Sequence, residues 1–395
     1  MNKYKLNELG AVARGKSKHR PRNDPQLFDG QYPFIQTGDV KHAPLYITSH
    51  SQTYNEKGLG QSKLWPEGTL CITIAANIAD TAILSYPACF PDSVIGFNAF
   101  ESVADTRYVK YCLDTFQLQM RSISQGTTQD NMSLEKLLSI NFPAPELSQQ
   151  RKVAAILTSY DDLIENNKRR ITLLEKMTEE IYREWFVRFR FPGWQEAEFE
   201  KGLPVGWPVK KLSDILSLQY GKALKNEDRL EGAVPVYGSS GVVGFHNEAF
   251  VQRPGIIVGR KGNVGAIHWS DVAFYPIDTV YFVESDLSEH FLYYLLHSVN
   301  FINNDAAVPG LNRKQAYSNH VLVPDGELID QFDRLVKPLY EQKKTLTKMS
   351  DNLEKTKTQL LSRLISGKLS VENLDIQFPP SMQNGKAESP VEAVA

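Results

Sequence analysis

Two long stretches of the chain repeat apolar residues at alternating spacings of three and four. Eight of eleven residues are apolar at positions 150, 153, 157, 160, 164, 167, 171, 174, 178, 181 and 185. Eight of ten are apolar at positions 328, 332, 335, 339, 342, 346, 349, 353, 356 and 360. This spacing is typical of a helix that packs along another helix. It predicts two long helices, each roughly 60 Å for some 40 residues.

Three residues within these stretches affect how the helices are expected to pack. Pro338 lacks a backbone N–H, so we expect it to kink or restart the second helix. Asn167 and Gln342 are polar at seam positions. Such residues either set helix register and partner choice or lie at the edge of the seam, and the pattern leaves both interpretations open.

The remaining sequence has a different pattern. Residues 1–142 and 208–323 are rich in Gly, Pro, aromatic and β-branched residues, with short apolar runs such as TLCITIA and GIIVG. These runs predict strands joined by loops. Each half of the chain is therefore expected to contain a mixed α/β globular domain followed by a long helix, which is an α+β fold.

Ordered matches between the two halves indicate an internal repeat. Lys5-Leu6 and Gly15-Lys16 match Lys211-Leu212 and Gly221-Lys222 at an offset of 206 residues. The offset falls to 186 where Asp92-Ser93-Val94 matches Asp278-Thr279-Val280, and Gly126 later matches Gly310. The order never breaks, so we infer two diverged copies of one unit.

These patterns set the expected domain boundaries. The globular domains are predicted at 1–145 and 208–324, and the helices at 146–189 and 325–369. Residues 190–207, with three prolines and three glycines within FPGWQEAEFEKGLPVGWP, read as a linker. Residues 370–395 are predicted to be disordered, because the chain from about Gln377 is low in bulky side chains.

Composition narrows the functional classes. Hydrophobic residues make up 42% and charged residues 23% of the chain, and the net charge is −2. This is ordinary globular composition, so any nucleic-acid surface must be local. Cys71, Cys89 and Cys112 have no C-x-x-C spacing, which favours a reduced, cytoplasmic protein. The absence of an apolar N-terminal segment and of any long apolar run predicts neither export nor a membrane span.

One phosphate-binding motif occurs, and its context argues against it. Residues 10–17 satisfy G-x-x-x-x-G-K-[ST], but a P-loop leaves a buried strand and opens a helix, whereas KHRPRNDP follows Ser17. The second copy has Leu216 where Gly10 stands. An ATP-dependent enzyme using Lys16 remains an alternative. The sequence contains no Asp-Pro-Pro-Tyr-like, H-E-x-x-H or G-x-S-x-G motif and no Cys/His metal spacing, so neither catalytic residues nor metal ligands are predicted.

Basic and amide side chains instead cluster in predicted loops. Such side chains hold phosphates and read base edges; ordinary solvated loops are the alternative. The candidates in the first copy are Arg14, Lys16, Lys18, Arg20 and Arg22, in a loop without an acid. Those in the second are Lys222, Lys225, Arg260, Lys261, Asn263, Asn312, Arg313 and Lys314. The segment after Pro309 is expected to correspond to Thr127, Thr128, Gln129 and Asn131.

Several phrases together resemble the specificity subunit of type I restriction-modification enzymes over nearly all of residues 1–370. They are PAPELSQQRKVAAILTSYDDLIENNKRRITLLEKM, REWFVRFRFPG, LPVGWPVKKLSDI, VPVYGSSGVVG, VGRKGNVG, VPGLNRKQAYS and LLSRLISGKLSV. The resemblance implies that the globular domains are tandem target recognition domains. It also implies that the two helices form an antiparallel coiled coil.

The resemblance further implies a non-catalytic, DNA-binding chain. Two modification subunits would bind S-adenosylmethionine and methylate adenine, and two restriction subunits could add DNA cleavage and ATP-driven translocation, so S-adenosylmethionine, ATP and Mg²⁺ would belong to partners. Because the copies differ, the expected target in double-stranded DNA is bipartite and asymmetric, with half-site centres about 34–36 Å apart. A coiled-coil scaffold with peptide- or RNA-binding globular halves is the alternative.

Overall fold

A computed structural model describes residues 1–75, 78–124, 132–301 and 310–383. The chain divides into two compact units. Unit 1 contains Met1–Lys168 and Met349–Ala395, and unit 2 contains Arg169–Lys348. Across the described part of the chain, no helix has the length and apolar character needed to cross a membrane.

Unit 1 is built around two mixed sheets. Its strands are β1 (Asn2–Lys5), β2 (Gly10–Arg14), β3 (Phe28–Phe34), β4 (Tyr46–Ile47), β5 (Gln52–Tyr54), β6 (Leu64–Trp65), β7 (Leu70–Thr73), β8 (Thr81–Leu84), β9 (Ala88–Cys89), β10 (Val94–Ala99) and β11 (Asn141–Ala144). One sheet has the order β2-β10-β7-β8-β4 and another the order β5-β3-β9-β6, while β1 pairs with β11. Its short helices are α1 (Leu6–Leu9), α2 (Thr37–His42), α3 (Glu56–Gln61), α4 (Thr106–Ser124) and α5 (Leu134–Ser139).

Unit 2 repeats this plan. Its strands are β12 (Phe199–Glu200), β13 (Leu203–Pro204), β14 (Val209–Lys211), β15 (Ser217–Tyr220), β16 (Val234–Gly238), β17 (Gly241–His246), β18 (Gly255–Gly259), β19 (Ile267–Ser270), β20 (Tyr275–Pro276), β21 (Val280–Glu284) and β22 (His320–Leu322). The sheets have the orders β15-β21-β18-β19 and β17-β16-β20, with pairs β14-β22 and β12-β13. The strands β2-β10-β7-β8 therefore correspond to β15-β21-β18-β19, which confirms the predicted tandem repeat.

Two long helices carry the seam residues of the 3.5-residue pattern. They are α6 (Leu147–Tyr182) and α9 (Gly326–Ile365); the other helices are α7 (Glu289–Ser298), α8 (Arg313–Ser318) and α10 (Pro380–Gln383). A π-helical turn, Arg183–Val187, follows α6. In α6 the predicted seam positions are buried or half-buried. In α9 the predicted seam residues Leu335 and Met349 are 46% and 50% exposed, and the adjacent Val336 and Ser350 are buried instead, so the buried stripe of α9 is shifted by one residue at these turns.

Within each unit, the α6 and α9 segments run antiparallel. In unit 1, the Asp161 carboxylate lies 2.6 Å from Lys357. Lys168 comes later in α6 and lies 3.6 Å from Glu354, which comes earlier in α9. In unit 2, the carboxylate of Glu175 lies 2.9 Å from Lys343, and the ring of Tyr182, later in α6, lies 6.1 Å from that of Phe332, earlier in α9. These contacts confirm the predicted pairing of the two helices within each unit.

The seam residues that interrupt the pattern behave differently from one another. Asn167 is only 5% exposed, whereas Gln342 is exposed and lies at the edge of the seam. The prediction that the helix restarts at Pro338 is wrong, because α9 continues through that residue. Pro338 removes only one of the many backbone hydrogen bonds of α9. Val336 and Tyr340, on either side of it, are buried in the core of unit 2 and hold the helix in place.

Two segments expected to lack structure are ordered. Residues 370–383 were predicted to be disordered, but Val371 is 4% exposed and the Ser381 hydroxyl donates to Asp162 Oδ2 at 2.6 Å. Residues 384–395 lie outside the described part of the chain. The predicted linker contains the hairpin of β12 and β13, and Phe191 packs on Trp207 with ring centroids 5.3 Å apart. A few buried aromatic rings are enough to order a segment that is otherwise polar.

Candidate nucleic-acid interface

Backbone hydrogen bonds bring two of the predicted basic clusters of unit 2 together. The chain leaves β18 at Gly259, and the N–H groups of Arg260 and Lys261 then donate to the carbonyl oxygen of Thr279, at 2.9 and 3.0 Å. The Leu311 N–H donates to the carbonyl oxygen of Arg260 at 2.8 Å. The segment starting at Gly310 is thereby held beside Arg260, about 50 residues away in the sequence.

A helix begins at this junction. The Asn312 side chain accepts a hydrogen bond from the Lys314 N–H at 2.9 Å and so caps α8, as expected for an amide at this position. Arg313 is the first residue of that helix. The cap therefore determines where the Arg313 side chain starts, directly beside the loop that carries Arg260.

Both arginines lie against one tyrosine ring. The guanidinium carbons of Arg260 and Arg313 are each 5.0 Å from the ring centroid of Tyr220. Arg260 also donates to the carbonyl oxygen of Asp278 at 3.0 Å, and Arg313 to that of Leu218 at 3.4 Å. Each guanidinium is thus oriented by an aromatic face and a backbone carbonyl before any ligand arrives.

These groups line an open cleft of about 820 Å³. We call it the Tyr220 cleft. The described residues that line it include four cationic side chains and no carboxylate; they are Tyr220, Arg260, Lys261, Gly262, Tyr281, Gly310, Leu311, Asn312, Arg313 and Lys314. Arg260 and Arg313 are half-buried, while Lys261 and Lys314 are exposed. The cleft can therefore accept an anionic or acceptor-rich ligand.

Tyr281 closes the base of the cleft. Burial raises the pKa of Tyr281, and the neighbouring Tyr220 hydroxyl raises it further. The Tyr281 hydroxyl therefore stays protonated at neutral pH and donates to the carbonyl oxygen of Leu311 at 3.0 Å. This bond ties the Gly310 segment to β21 and stabilises the wall that carries Arg313.

The other predicted residues of unit 2 lie outside this cleft. Lys222 is exposed, and its N–H donates to the carbonyl oxygen of Pro276 at 3.0 Å. Lys225 is exposed and lies 3.4 Å from Glu227. Asn263 is also exposed, with its N–H 3.4 Å from Ser239 Oγ.

The basic loop of unit 1 is less positive than its sequence suggests. Arg14 ends β2, and Lys18, Arg20 and Arg22 are exposed beyond it. Residues 14–22 contain no acid, but an acid from elsewhere in the chain accompanies them, because Asp92 lies 2.7 Å from Arg22 and 4.0 Å from Arg20. Asp92 is seventy residues away in the sequence from Arg22, and only the return of the chain at the start of β10 brings it here. Asp278, its match in the second copy, likewise lies 3.4 Å from Lys261.

The fold also excludes the P-loop geometry at residues 10–17. Gly10–Arg14 is a strand, and the Gly15 and Lys16 N–H groups donate to the carbonyl oxygens of Val94 and Phe90, at 2.8 and 3.1 Å. A P-loop needs such N–H groups free to bind phosphate, with a helix following. Here they are used within the domain, and Ser17 leads into a loop.

Hydrogen bonds revise one correspondence between the copies. Met132 N–H donates to the Ile74 carbonyl at 3.0 Å, as Leu311 N–H does to Arg260. Ser133 then caps α5 as Asn312 caps α8. Residues 312–315 therefore correspond to 133–136, and the expected match to residues 127–131 is wrong. Thr127, Thr128, Gln129 and Asn131 lie outside the described residues.

Tyr220 and Tyr281 are not among the residues that the sequence patterns indicated as DNA ligands. A signal was nevertheless present, because Tyr220 immediately precedes the repeated Gly-Lys pair, as Arg14 does in the first copy. A residue at the end of a strand that leads into a basic loop is well placed to face the same ligand as that loop.

The chain matches known proteins over most of its length. Residues 1–176 and 204–321 match the family model described as "Type I restriction modification DNA specificity domain". The specificity subunit of the type I restriction enzyme MjaIX from Methanocaldococcus jannaschii is 26% identical over 94% of each chain. That of MjaVIII from the same organism is 22% identical over 88% of each. A crystal structure of the type I restriction-modification system S subunit from M. genitalium has a TM-score of 0.62 and 19% identity, covering 92% of this chain and 95% of its own, which supports the fold.

Proposed function

Because this chain belongs to the type I restriction-modification DNA specificity domain family, we propose that it is the sequence-reading subunit of a type I restriction-modification complex. It binds double-stranded DNA through both globular domains and directs the chemistry of other subunits. The single observation that carries this proposal is the Tyr220 cleft. Four cationic side chains that the sequence had marked as DNA ligands, in two distant segments, line one site there.

The target is a bipartite, asymmetric DNA sequence, read by one domain per half-site. Support comes from the repeat, because two domains of one topology carry different side chains at their loops. Arg14, Lys16, Lys18, Arg20 and Arg22 contribute phosphate contacts in unit 1. The basic and amide residues of unit 2 contribute base and phosphate contacts.

The catalytic steps belong to partners. Two modification subunits bind S-adenosylmethionine and methylate adenine, and two restriction subunits supply ATP- and Mg²⁺-dependent translocation and DNA cleavage. Adenine must leave the helix stack to be methylated. This chain's role is to hold the duplex in register while that happens, and its own side chains perform no bond-making step.

The test is methylation by the complex of this chain with its modification subunits. The complex is incubated with S-adenosylmethionine and a library of random duplexes, and the methylated adenines are mapped. We expect marks within a single bipartite motif, and no specific marks when this chain is omitted. Methylation without a motif, or a motif that does not depend on this chain, would contradict the proposal.

Salt dependence separates this function from the scaffold alternative. Lysine and arginine contacts to phosphate release counterions, so the logarithm of the DNA affinity should fall linearly with the logarithm of the salt concentration. A peptide-binding scaffold would show no duplex binding over the same range. The variant Lys16→Ala tests the nucleotide-binding alternative: we expect at most a modest loss of DNA affinity, whereas loss of ATP binding by this chain would support a P-loop.

A further inference from the structure

The described residues of unit 1 form no chemical counterpart of the Tyr220 cleft. The Arg260 N–H donates to Thr279 and the Ile74 N–H donates to Ser93, so Ile74 occupies the position of Arg260. The cap correspondence likewise places Leu134 at the position of Arg313. Two hydrogen-bonding cations of unit 2 are therefore hydrocarbon side chains in unit 1.

The residues on the neighbouring strands also differ between the two units. Tyr220 pairs with Tyr281 in the β15-β21 register, and Arg14 pairs with Ile95 in the β2-β10 register. Ile74 and Ile95 are 3% and 0% exposed, and Leu134 packs on the same hydrophobic core. Among the described residues of unit 1, the apolar Ile74 and Leu134 thus occupy the positions of the two cleft arginines, and the exposed Arg14 occupies the position of Tyr220.

The arrangement of the two arginines favours a planar acceptor pair over a phosphate. Each guanidinium is half-buried and held on the Tyr220 face with one N–H group on a carbonyl oxygen. This orients a planar fork that fits two neighbouring acceptors, while the exposed Lys261 and Lys314 already supply flexible point charges for phosphate. In duplex DNA, the guanine edge offers two neighbouring acceptors, O6 and N7, in the major groove.

We propose that the Tyr220 cleft, through Arg260 and Arg313 braced on Tyr220, recognises a guanine in the half-site bound by unit 2, and that the described residues of unit 1 form no equivalent subsite. This inference rests on the proposed function. The two half-sites are then read at non-equivalent positions of the repeated domain, so the residues that read one half-site cannot be transferred to the other by aligning the copies.

The test uses the conservative variants Arg313→Lys and Arg260→Lys in the complete methyltransferase complex. Lysine keeps the charge and loses the planar fork, so phosphate attraction survives and guanine discrimination should fall. A bidentate arginine–guanine contact contributes about 1–3 kcal/mol of discrimination, which is about 5- to 150-fold. We expect a loss of that size at one guanine of one half-site, with the other half-site unchanged. Tyr220→Leu, which removes the brace, should relax the same position.

The matched control is Arg253→Lys, since Arg253 lies in unit 2 and pairs with Glu289 instead of lining the cleft. It should leave the motif unchanged, and thermal melting of each variant verifies folding. Evenly weakened binding with an unchanged motif would identify a phosphate site and overturn the inference, as would relaxation in both half-sites. If the wild-type complex shows no motif at all, the proposed function itself fails.

Discussion

A buried ion pair between the two long helices offers a stringent test of how unit 1 is held together. Asp161 accepts hydrogen bonds from Lys357 Nζ and from the Tyr111 hydroxyl, each at 2.6 Å. The Asp161 and Lys357 side chains are 9% and 18% exposed. Burial raises the pKa of Tyr111 well above its ordinary value, and the Asp161 carboxylate raises it further, so the hydroxyl keeps the proton that it donates.

Removing one partner should be costly. Lys357→Ala leaves the carboxylate of Asp161 buried with Tyr111 as its remaining named donor. An uncompensated buried charge of this kind typically costs about 3–5 kcal/mol. Lys168→Ala is the matched control, because Lys168 and Glu354 are 53% and 55% exposed at 3.6 Å, and exposed pairs contribute about 0–1 kcal/mol.

Urea unfolding of the full chain, followed by far-ultraviolet circular dichroism, measures the two losses. We expect the midpoint of the unit 1 transition to fall several times further for Lys357→Ala than for Lys168→Ala. The double variant Asp161→Leu with Lys357→Met should recover much of the loss, since an apolar replacement leaves no buried charge. Equal, small losses for both single variants would refute the reasoning.

Three further predictions follow from the fold. Exchanging residues 208–323 for the matching domain of a relative should change one half-site of the methylation motif, and a change in both would contradict modular reading. Gly15→Ala should destabilise unit 1, because an added Cβ would lie 2.3 Å from the carbonyl oxygen of Pro91; an unchanged melting temperature would show that the loop moves freely. Alkylation by iodoacetamide at pH 8 should label the native chain much more slowly than the unfolded chain, because burial makes the thiols inaccessible and raises the pKa of each; rapid native labelling would contradict burial of Cys71, Cys89 and Cys112.

The charge-free equivalent of the Asp161 cluster shows how the copies diverged. In unit 2, Thr178, Tyr294 and Tyr340 meet through hydroxyl groups, with Thr178 Oγ1 2.5 Å and the Tyr340 hydroxyl 3.3 Å from the hydroxyl of Tyr294. The same helix positions are thus joined by an ion pair in one unit and by neutral hydrogen bonds in the other.

Much of the fold could be predicted from the sequence because its signals are periodic or repeated. The 3.5-residue pattern predicted α6 and α9, and ordered matches predicted two domains of one topology. Local sequence signals predicted the structure less well at positions where burial of a side chain decides whether the chain is helical or ordered. Pro338 lies inside a continuous helix, and residues 370–383 pack on unit 1 through Val371, because tertiary contacts outweigh the local preference.

The candidate site shows the same distinction between what the sequence predicts and what only tertiary contacts decide. The sequence by itself determined which loops carry basic and amide side chains, since residue type is written directly in it. Only the tertiary structure decided that Arg260 and Arg313 meet on Tyr220, that Asp92 offsets the basic loop of unit 1, and that Leu134 occupies the position of Arg313. Each of these depends on backbone hydrogen bonds between strands and loops distant in the sequence, and such bonds form only when the sheets assemble.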